Sequence, residues 1–282
     1  MASHGSSTTS TTTSTTTSTT ASTTAKARKR IWLTGASSGI GEGLARRLLA
    51  DGHRVALSAR SADKLEAIAA DAEQGPGEAL VVTLDLTDRE AIRAAASQIE
   101  ASFGGLDLAL LNAGTCEYLD AREFEADLVH RVFATNFQAA VDVIESALPL
   151  LRMAAADGGE RPQLAAVSSA SAYLPLPRAE AYGASKAAVS YFLESLRLDL
   201  DNQGIDVSVI HPGFVKTPLT ERNDFPMPMQ VTVEQAVEAI VAGLARHRLD
   251  IHFPRRFTLL VKLLGILPAP LRRSIGLRMT RD

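Results

Sequence analysis

From Arg30 onward, short apolar runs alternate with longer segments whose apolar residues recur at helical spacing. The run RIWLTG at 30–35 has the continuous apolar character of a buried strand, and the segment that follows carries Ile40, Leu44 and Leu48 on one helical face. This alternation predicts a doubly wound parallel sheet in a three-layer α/β/α domain. The further predicted strands are 54–59, 79–86, 106–114, 163–169, 206–213 and 249–254, and the predicted helices are 39–51, 61–73, 88–102, 127–154, 179–202 and 232–247.

The pattern divides the chain into a catalytic α/β domain, 30–254, and two flanking segments. Residues 1–29 are rich in Ser and Thr and have no apolar core of a signal peptide, so we expect a disordered tail, with a targeting role as the alternative. Residues 255–282 hold a short apolar run between arginines, too short to span a bilayer. This amphipathic extension either covers the substrate pocket or a subunit interface, or lies peripherally on a membrane.

Composition narrows the function classes. The formal net charge of the 282 residues is −3, which indicates no general attraction to nucleic acid or to an anionic membrane. Cys116 is the single cysteine, so no intrachain disulfide forms, and the six histidines show no metal-ligand spacing. We expect a cytoplasmic protein without a metal, which acts on a small molecule.

The turn TGASSGIG at 34–41 has two interpretations. Gly35, Ser37 and Gly39 form the G-x-S-x-G pattern of a hydrolase with a serine nucleophile. Gly35, Gly39 and Gly41 instead form a glycine turn between a strand and a helix, where backbone amides bind a dinucleotide phosphate. In the second case Ser37 and Ser38 are phosphate or ribose donors.

The end of the second predicted strand favours one dinucleotide. An acidic residue there binds the ribose 2′-hydroxyl of NAD, whereas a basic residue accommodates the 2′-phosphate of NADP. The sequence places Arg60 at this point, with no acid before Asp63. NADP(H) is therefore favoured over NAD(H), and the alternative is that Arg60 is an ordinary surface residue.

Tyr182 and Lys186 lie four residues apart on the helix predicted over 179–202, which puts them on one face. A lysine beside a tyrosine lowers the pKa of the phenol, and such a tyrosine exchanges a proton with an alcohol or carbonyl oxygen. Ser169 ends the fifth predicted strand, 13 residues upstream, and its hydroxyl can polarise the same oxygen. Ser168 adjoins it, but the spacing favours Ser169.

Taken together, TGASSGIG, LDLT at 84–87, LNAG at 111–114, ATNF at 134–137, YGASK at 182–186 and HPGFVKT at 211–217 resemble the classical short-chain dehydrogenases/reductases over about 30–253. The resemblance implies a Rossmann-type fold, NAD(P)(H)-dependent oxidation of alcohols or reduction of carbonyls, and a homodimer or homotetramer.

The same resemblance implies roles for individual residues. Tyr182 is the general acid/base, Lys186 lowers its pKa and binds the nicotinamide ribose, Ser169 orients the substrate oxygen, and Asn136 holds a water of a proton relay. The implied cofactor contacts are Gly35, Ser37, Ser38, Gly39, Ile40, Gly41, Arg60, Asp85, Leu86, Asn112, Ala113, Gly114, Tyr182, Lys186, Pro212, Gly213, Val215 and Thr217.

Several alternatives remain open. Asn136 can be a helix-kink residue that bonds backbone, Asp85 can cap the next helix, and His211 is either structural or a catalytic base. At the level of the whole protein, the alternatives are a non-catalytic NADP-sensing or scaffold protein on the same fold and a serine hydrolase using Ser37. The segments expected to form the substrate pocket, 115–127, 170–181 and 214–231, are apolar and weakly favour a hydrophobic alcohol or ketone.

Overall fold

A computed structural model describes residues 1–5, 28–221, 223 and 225–279. Its seven strands form one sheet in which every neighbouring pair is parallel, in the order β3-β2-β1-β4-β5-β6-β7. The predicted doubly wound sheet is confirmed. The expected disorder of the N-terminal tail concerns mainly residues 6–27, which lie outside the described residues. The strands are β1 Arg30–Thr34, β2 Arg54–Ala59, β3 Glu78–Thr83, β4 Leu108–Leu111, β5 Gln163–Val167, β6 Asp206–Pro212 and β7 Asp250–Phe253.

Helices cover both faces of the sheet because each strand is apolar on both sides. Leu44, Leu65 and Ile240 belong to the core on one face, and Ile99, Leu150 and Leu193 to the core on the other. The α-helices are α1 Gly39–Ala50, α2 Ala62–Ala72, α3 Arg89–Phe103, α4 Ala126–Phe133, α5 Ala139–Ala156, α6 Glu180–Asp201, α7 Val233–Leu244, α8 Arg255–Gly265 and α9 Ala269–Leu277.

The region predicted to be helical over 127–154 is helical but is not one continuous α-helix. A π-helical turn, Ala134–Gln138, separates α4 from α5, and it contains Asn136. Periodicity does not reveal such a turn, because one extra residue shifts the apolar face without ending the helix. Strands β3 and β4 are also shorter than predicted, and the residues beyond their carboxyl ends are loops.

Helices α8 and α9 continue the chain after β7. Phe257, Val261 and Leu264 of α8 pack against Tyr173 and Leu174, close to the short 3-10 helix Ala170–Ala172. Across the described parts of the chain, no helix is long and apolar enough to cross a membrane.

The first two strands are joined by a buried side-chain hydrogen bond as well as by their ladder. Trp32 donates from Nε1 to Ser58 Oγ at 2.9 Å, and neither residue is more than 1% exposed. We expect Ser58→Ala to lower the free energy of unfolding by about 1–3 kcal/mol, because the indole N–H loses its acceptor inside the core. Urea unfolding of this variant tests the expectation. Ser97→Ala, at an exposed helix position, is the control, and an equal effect of both changes would contradict it.

Candidate active site

A cleft of about 780 Å³ opens at the carboxyl ends of the strands, around β1 and β4, where the strand order reverses. This is where doubly wound sheets bind ligands, because the helices leave the two strands on opposite faces. Among the predicted site residues, those on the lining of the cleft are Gly35, Ser37, Ser38, Gly39, Ile40, Arg60, Asp85, Leu86, Asn112, Ala113, Gly114, Ser169, Tyr182, Lys186, Pro212, Gly213, Val215 and Thr217.

The glycine turn between β1 and α1 brings bare backbone to the cleft. Gly35 and Gly39 have φ angles of 66° and 54°, in the left-handed region that favours glycine. Gly41 lies behind the turn, where a Cβ would stand 2.0 Å from the carbonyl oxygen of Gly35. The N-cap of α1, Ser38, makes no side-chain capping bond. The first backbone amides of α1 and the hydroxyl of Ser38 are thus left available to bind an anion.

Asn112 ties this turn to the end of β4. Its Nδ2 donates to the carbonyl oxygen of Gly35 at 3.1 Å, and its backbone N–H donates to Thr34 Oγ1, also at 3.1 Å. Thr34 Oγ1 accepts a second bond from the amide of Ala113. Sequence reasoning missed Thr34 as a site residue, although its position as the last residue of a strand that leads into the glycine turn is a signal.

The other end of the cleft carries opposite charges. Asp85 Oδ1 accepts from the backbone and the hydroxyl of Thr87, which lowers the pKa of Asp85, and the positive charge of Arg60 lowers it further. Asp88, not Asp85, caps α3, so the capping interpretation of Asp85 is wrong. Arg60 is exposed and forms no ion pair within the described residues.

Tyr182 and Lys186 face the cleft from α6. The Lys186 ammonium donates to the carbonyl oxygen of Val167 at 2.8 Å, and burial lowers its pKa to about 8. Burial also raises the pKa of Tyr182 to about 12, with a smaller contribution from Cys116, while a hydrogen bond with Ser169 opposes the shift. The expected lowering of the Tyr182 pKa by Lys186 is not found, and the pKa shifts the other way because loss of hydration disfavours the phenolate. The Lys186 ammonium lies 6.0 Å from the centroid of the Tyr182 ring.

The two adjacent serines after β5 have different environments. Ser168 is buried, and its hydroxyl donates to the carbonyl oxygen of Lys186 and contacts Ser190 Oγ at 2.7 Å. Ser169 lines the cleft, and its side chain lies beside that of Tyr182, whose pKa it lowers. The structure thus brings Ser169, and not Ser168, to the tyrosine hydroxyl.

Asn136 is buried in the π-helical turn, and both ends of its amide have protein partners. Oδ1 accepts from the amide of Thr115 at 2.8 Å, while Nδ2 donates to the carbonyl oxygen of Thr115 and to Ser185 Oγ. This side chain therefore fixes the segment after β4 against α6, as the backbone-bonding alternative expected. That Asn136 holds a water of a proton relay stays a prediction.

The loop 214–231, one of the segments expected to form the substrate pocket, is anchored at both ends. Val215 and Val231 form a β-bridge at its base. Farther along, Tyr118 donates a hydrogen bond from its hydroxyl to Asn223 Oδ1 and contacts the Phe225 ring edge-on. Sequence reasoning missed further lining residues at strand ends, in α4, in the π-helical turn and in loops; they are Ala59, Ser61, Leu84, Thr87, Thr115, Glu117, Arg131, Ala134, Thr135, Val167, Pro218, Leu219 and Thr220. Ser168, which the spacing disfavoured, also lies on the lining.

The arrangement speaks against Ser37 as a nucleophile. Among the described residues that line the cleft none is a histidine, so the Ser-His pair of such a hydrolase is not formed with Ser37. His211 is fully buried and stacked on His252 with ring centroids 4.8 Å apart. Burial, with the nearby His252, lowers the pKa of His211 to about 4. These contacts favour the structural interpretation of His211.

Comparison with known proteins gives consistent results. A family model described as short chain dehydrogenase matches residues 29–228. An uncharacterised oxidoreductase of Myxococcus xanthus is 36% identical over 247 residues, which cover 88% of this chain and 96% of that protein. An 11-beta-hydroxysteroid dehydrogenase-like protein of Arabidopsis thaliana is 32% identical over 235 residues, covering 81% of this chain and 74% of the relative.

A solved structure shares the fold. The alcohol dehydrogenase of the archaeon Thermococcus sibiricus, in complex with 5-hydroxy-NADP, superposes with a TM-score of 0.72 at 23% identity, covering 80% of this chain and 96% of the other. Because the family model matches most of the chain and the Myxococcus relative is similar over nearly its whole length, the chain belongs to the short-chain dehydrogenase/reductase family.

Proposed function

We propose that this protein is an NADP(H)-preferring oxidoreductase that interconverts a secondary alcohol and a carbonyl on a hydrophobic small molecule. The observation that carries the proposal is the placement of Ser169, Tyr182 and Lys186 together on one end of a cleft whose other end holds a glycine turn and Arg60. A nicotinamide dinucleotide fits this donor set: backbone amides and hydroxyls for the pyrophosphate, and a guanidinium for a further phosphate.

The reacting oxygen of the substrate is held by two hydroxyls. Tyr182 gives its proton to the carbonyl oxygen in reduction and takes it back in oxidation, while Ser169 donates a hydrogen bond to the same oxygen. The raised pKa of Tyr182 keeps its phenol protonated near neutral pH, which suits the donor in reduction. When bound, the nicotinamide supplies or accepts the hydride at its C4.

Lys186 contributes a buried positive charge next to these hydroxyls. A Cβ on Gly114 would stand 3.1 Å from the Lys186 ammonium, so this glycine leaves the ammonium open toward the cleft. The ammonium has two donors left after its bond to Val167, and these suit ribose hydroxyls.

Three observations support NADP(H). Strand β2 ends at Ala59, and the residue that follows it is Arg60 and not an acidic residue. Arg60 lines the cleft. Ser61, the N-cap of α2, makes no side-chain capping bond, which leaves its hydroxyl for a phosphate. The solved relative in complex with an NADP derivative has the same fold.

A neutral, apolar substrate is consistent with the charged side chains on the lining of the cleft. Glu117 and Arg131 both line the cleft but pair with each other at 2.9 Å, so neither offers an unpaired charge to the substrate. Next to the lining residue Gly213, Phe214 contacts both Phe225 and Phe257, so this neighbourhood is apolar. A homodimer or homotetramer stays a prediction.

Tyr182→Phe tests the chemistry. We expect turnover to fall by about 10²–10⁴-fold, because the proton donor is lost, while NADPH affinity stays within a factor of two to three. Turnover is followed by NADPH absorbance with a panel of alkyl, aryl and cyclic ketones, and affinity by NADPH fluorescence.

Tyr191→Phe is the matched control, since Tyr191 lies on the same helix and is 77% exposed. Wild-type protein that binds NADPH but turns over none of the ketones or the matching secondary alcohols would favour the non-catalytic NADP-sensing alternative.

Arg60→Ala tests the cofactor preference. Losing a charge-assisted bond to a phosphate costs about 1.5–3 kcal/mol, so NADPH affinity should fall about 10- to 100-fold while NADH affinity changes little. Titration of both cofactors measures the difference. Lys64→Ala, on the exposed face of α2, is the control for general charge effects. Equal losses for NADPH and NADH in Arg60→Ala would remove the argument for NADP(H).

Lys186→Met tests the cost of the buried ammonium. Below pH 8 Lys186 is protonated in both the folded and the unfolded chain. The lowered pKa of Lys186 then reduces the free energy of unfolding by roughly 3 kcal/mol. Between pH 8 and 10.5 the unfolded chain binds more protons, and the cost disappears as the pH rises. The unfolding free energy of the variant minus that of the wild type should therefore decrease by roughly 3 kcal/mol from pH 7 to pH 10.5.

Urea unfolding at both pH values measures this difference, with Lys64→Met as the exposed control. A difference that does not vary with pH would contradict the lowered pKa of Lys186.

A further inference from the structure

Helix α8 is fixed to the body of the protein by one of its faces. Phe257 contacts Phe214 with ring centroids 5.3 Å apart, and a Cβ on Gly213 would stand 2.7 Å from the Phe257 ring. Val261 is buried against Tyr173 and Leu174, and the Lys262 ammonium lies 4.9 Å from the centroid of the Tyr173 ring. The orientation of the helix is thus set, and so is the face that it turns outward.

The outward face is apolar. Leu259, Leu263 and Ile266 follow one another at spacings of four and three residues, which align them along one side of the helix and its end. They are 56%, 57% and 76% exposed. We call these three residues, with Leu260 of the same helix, which is 49% exposed, the leucine face. Leu271 of α9 is 53% exposed.

The leucine face lies within a strongly basic segment. Between Asp250 and Asp282 the sequence has seven Lys and Arg residues and no Asp or Glu, in a chain whose net charge is −3. None of the six that the structure describes, Arg255, Arg256, Lys262, Arg272, Arg273 and Arg278, forms an ion pair within the described residues. Arginines elsewhere in the described chain mostly do, as Arg30 does with Asp107 and Arg47 with Asp51.

We infer that the leucine face docks on the surface of an anionic lipid bilayer, with the leucines in the headgroup boundary and the cations against lipid phosphates. Apolar residues combined with several unpaired cations are the two contributions that interfacial helices use. A second copy of this chain fits the leucine face less well, because a two-fold pairing would bring the same basic segment against itself. Helices of 11 and nine residues lie on such a surface and do not span it.

Vesicle flotation of the full-length protein tests this docking. We expect about tenfold more protein to float with vesicles of phosphatidylglycerol and phosphatidylcholine in equal parts than with phosphatidylcholine alone. About 1 M NaCl should release most of it, because salt screens the charges. The double variant Leu263→Asp/Ile266→Asp should lose binding about tenfold, since its apolar contacts are replaced by carboxylates that lipid phosphates repel.

Leu249→Asp is the matched control, because Leu249 is 55% exposed but lies outside the leucine face, before β7. Arg256→Glu/Arg273→Glu tests the charge separately and should also abolish the preference for anionic vesicles. Unchanged thermal unfolding shows that each variant is folded.

Three results would overturn the inference. They are equal binding to both kinds of vesicle, an equal loss in Leu249→Asp, and absence of vesicle binding by the wild type. In the last case, a self-association measured by sedimentation that Leu263→Asp/Ile266→Asp abolishes would assign the leucine face to a second copy. None of these readouts uses turnover, so they are independent of the proposed reaction.

Discussion

The hydrogen bonds from Asn112 to Thr34 and Gly35 join the two strands on which the cleft depends. Strands β1 and β4 are neighbours in the sheet although two strands separate them in sequence, and the helices that follow β1 and β4 pack on opposite faces. A crevice must form between these helices, and the Asn112 contacts set its floor. The glycine turn can then approach a ligand with backbone alone, because Gly35 and Gly39 carry no side chain.

Burial of Lys186 links the chemistry of the site to the stability of the fold. An ammonium without a carboxylate partner is costly inside a protein, and the fall of its pKa expresses that cost. The same burial keeps the Tyr182 phenol protonated. Ser168, Ser185 and Asn136 hold α6 and the π-helical turn in place around these groups. A stabilising replacement of Lys186 would therefore be expected to remove function.

Helix α8 connects the proposed site with the outer surface. Its inner side contacts Gly213 and Phe214, at the border of the cleft, while its outer side carries the leucine face. The two alternatives raised by the sequence for 255–282 stay predictions: the inner side of α8 packs on Gly213 and Phe214, and Leu259, Leu263 and Ile266 on its outer side are more than half exposed.

The sequence by itself determined the fold class and the residues at the strand ends, because the apolar runs of the seven strands and the single glycine turn are local signals. Nearly all predicted cofactor residues lie on the cleft for that reason. The spacing to Tyr182 already favoured Ser169 over Ser168, but only the tertiary structure showed the buried contacts of Ser168, placed the π-helical turn at Asn136 and assigned the cap of α3 to Asp88. It also reversed the expected pKa shift of Tyr182. These features depend on which side chains meet across the sheet and on how much water burial removes, and neither is encoded in local spacing.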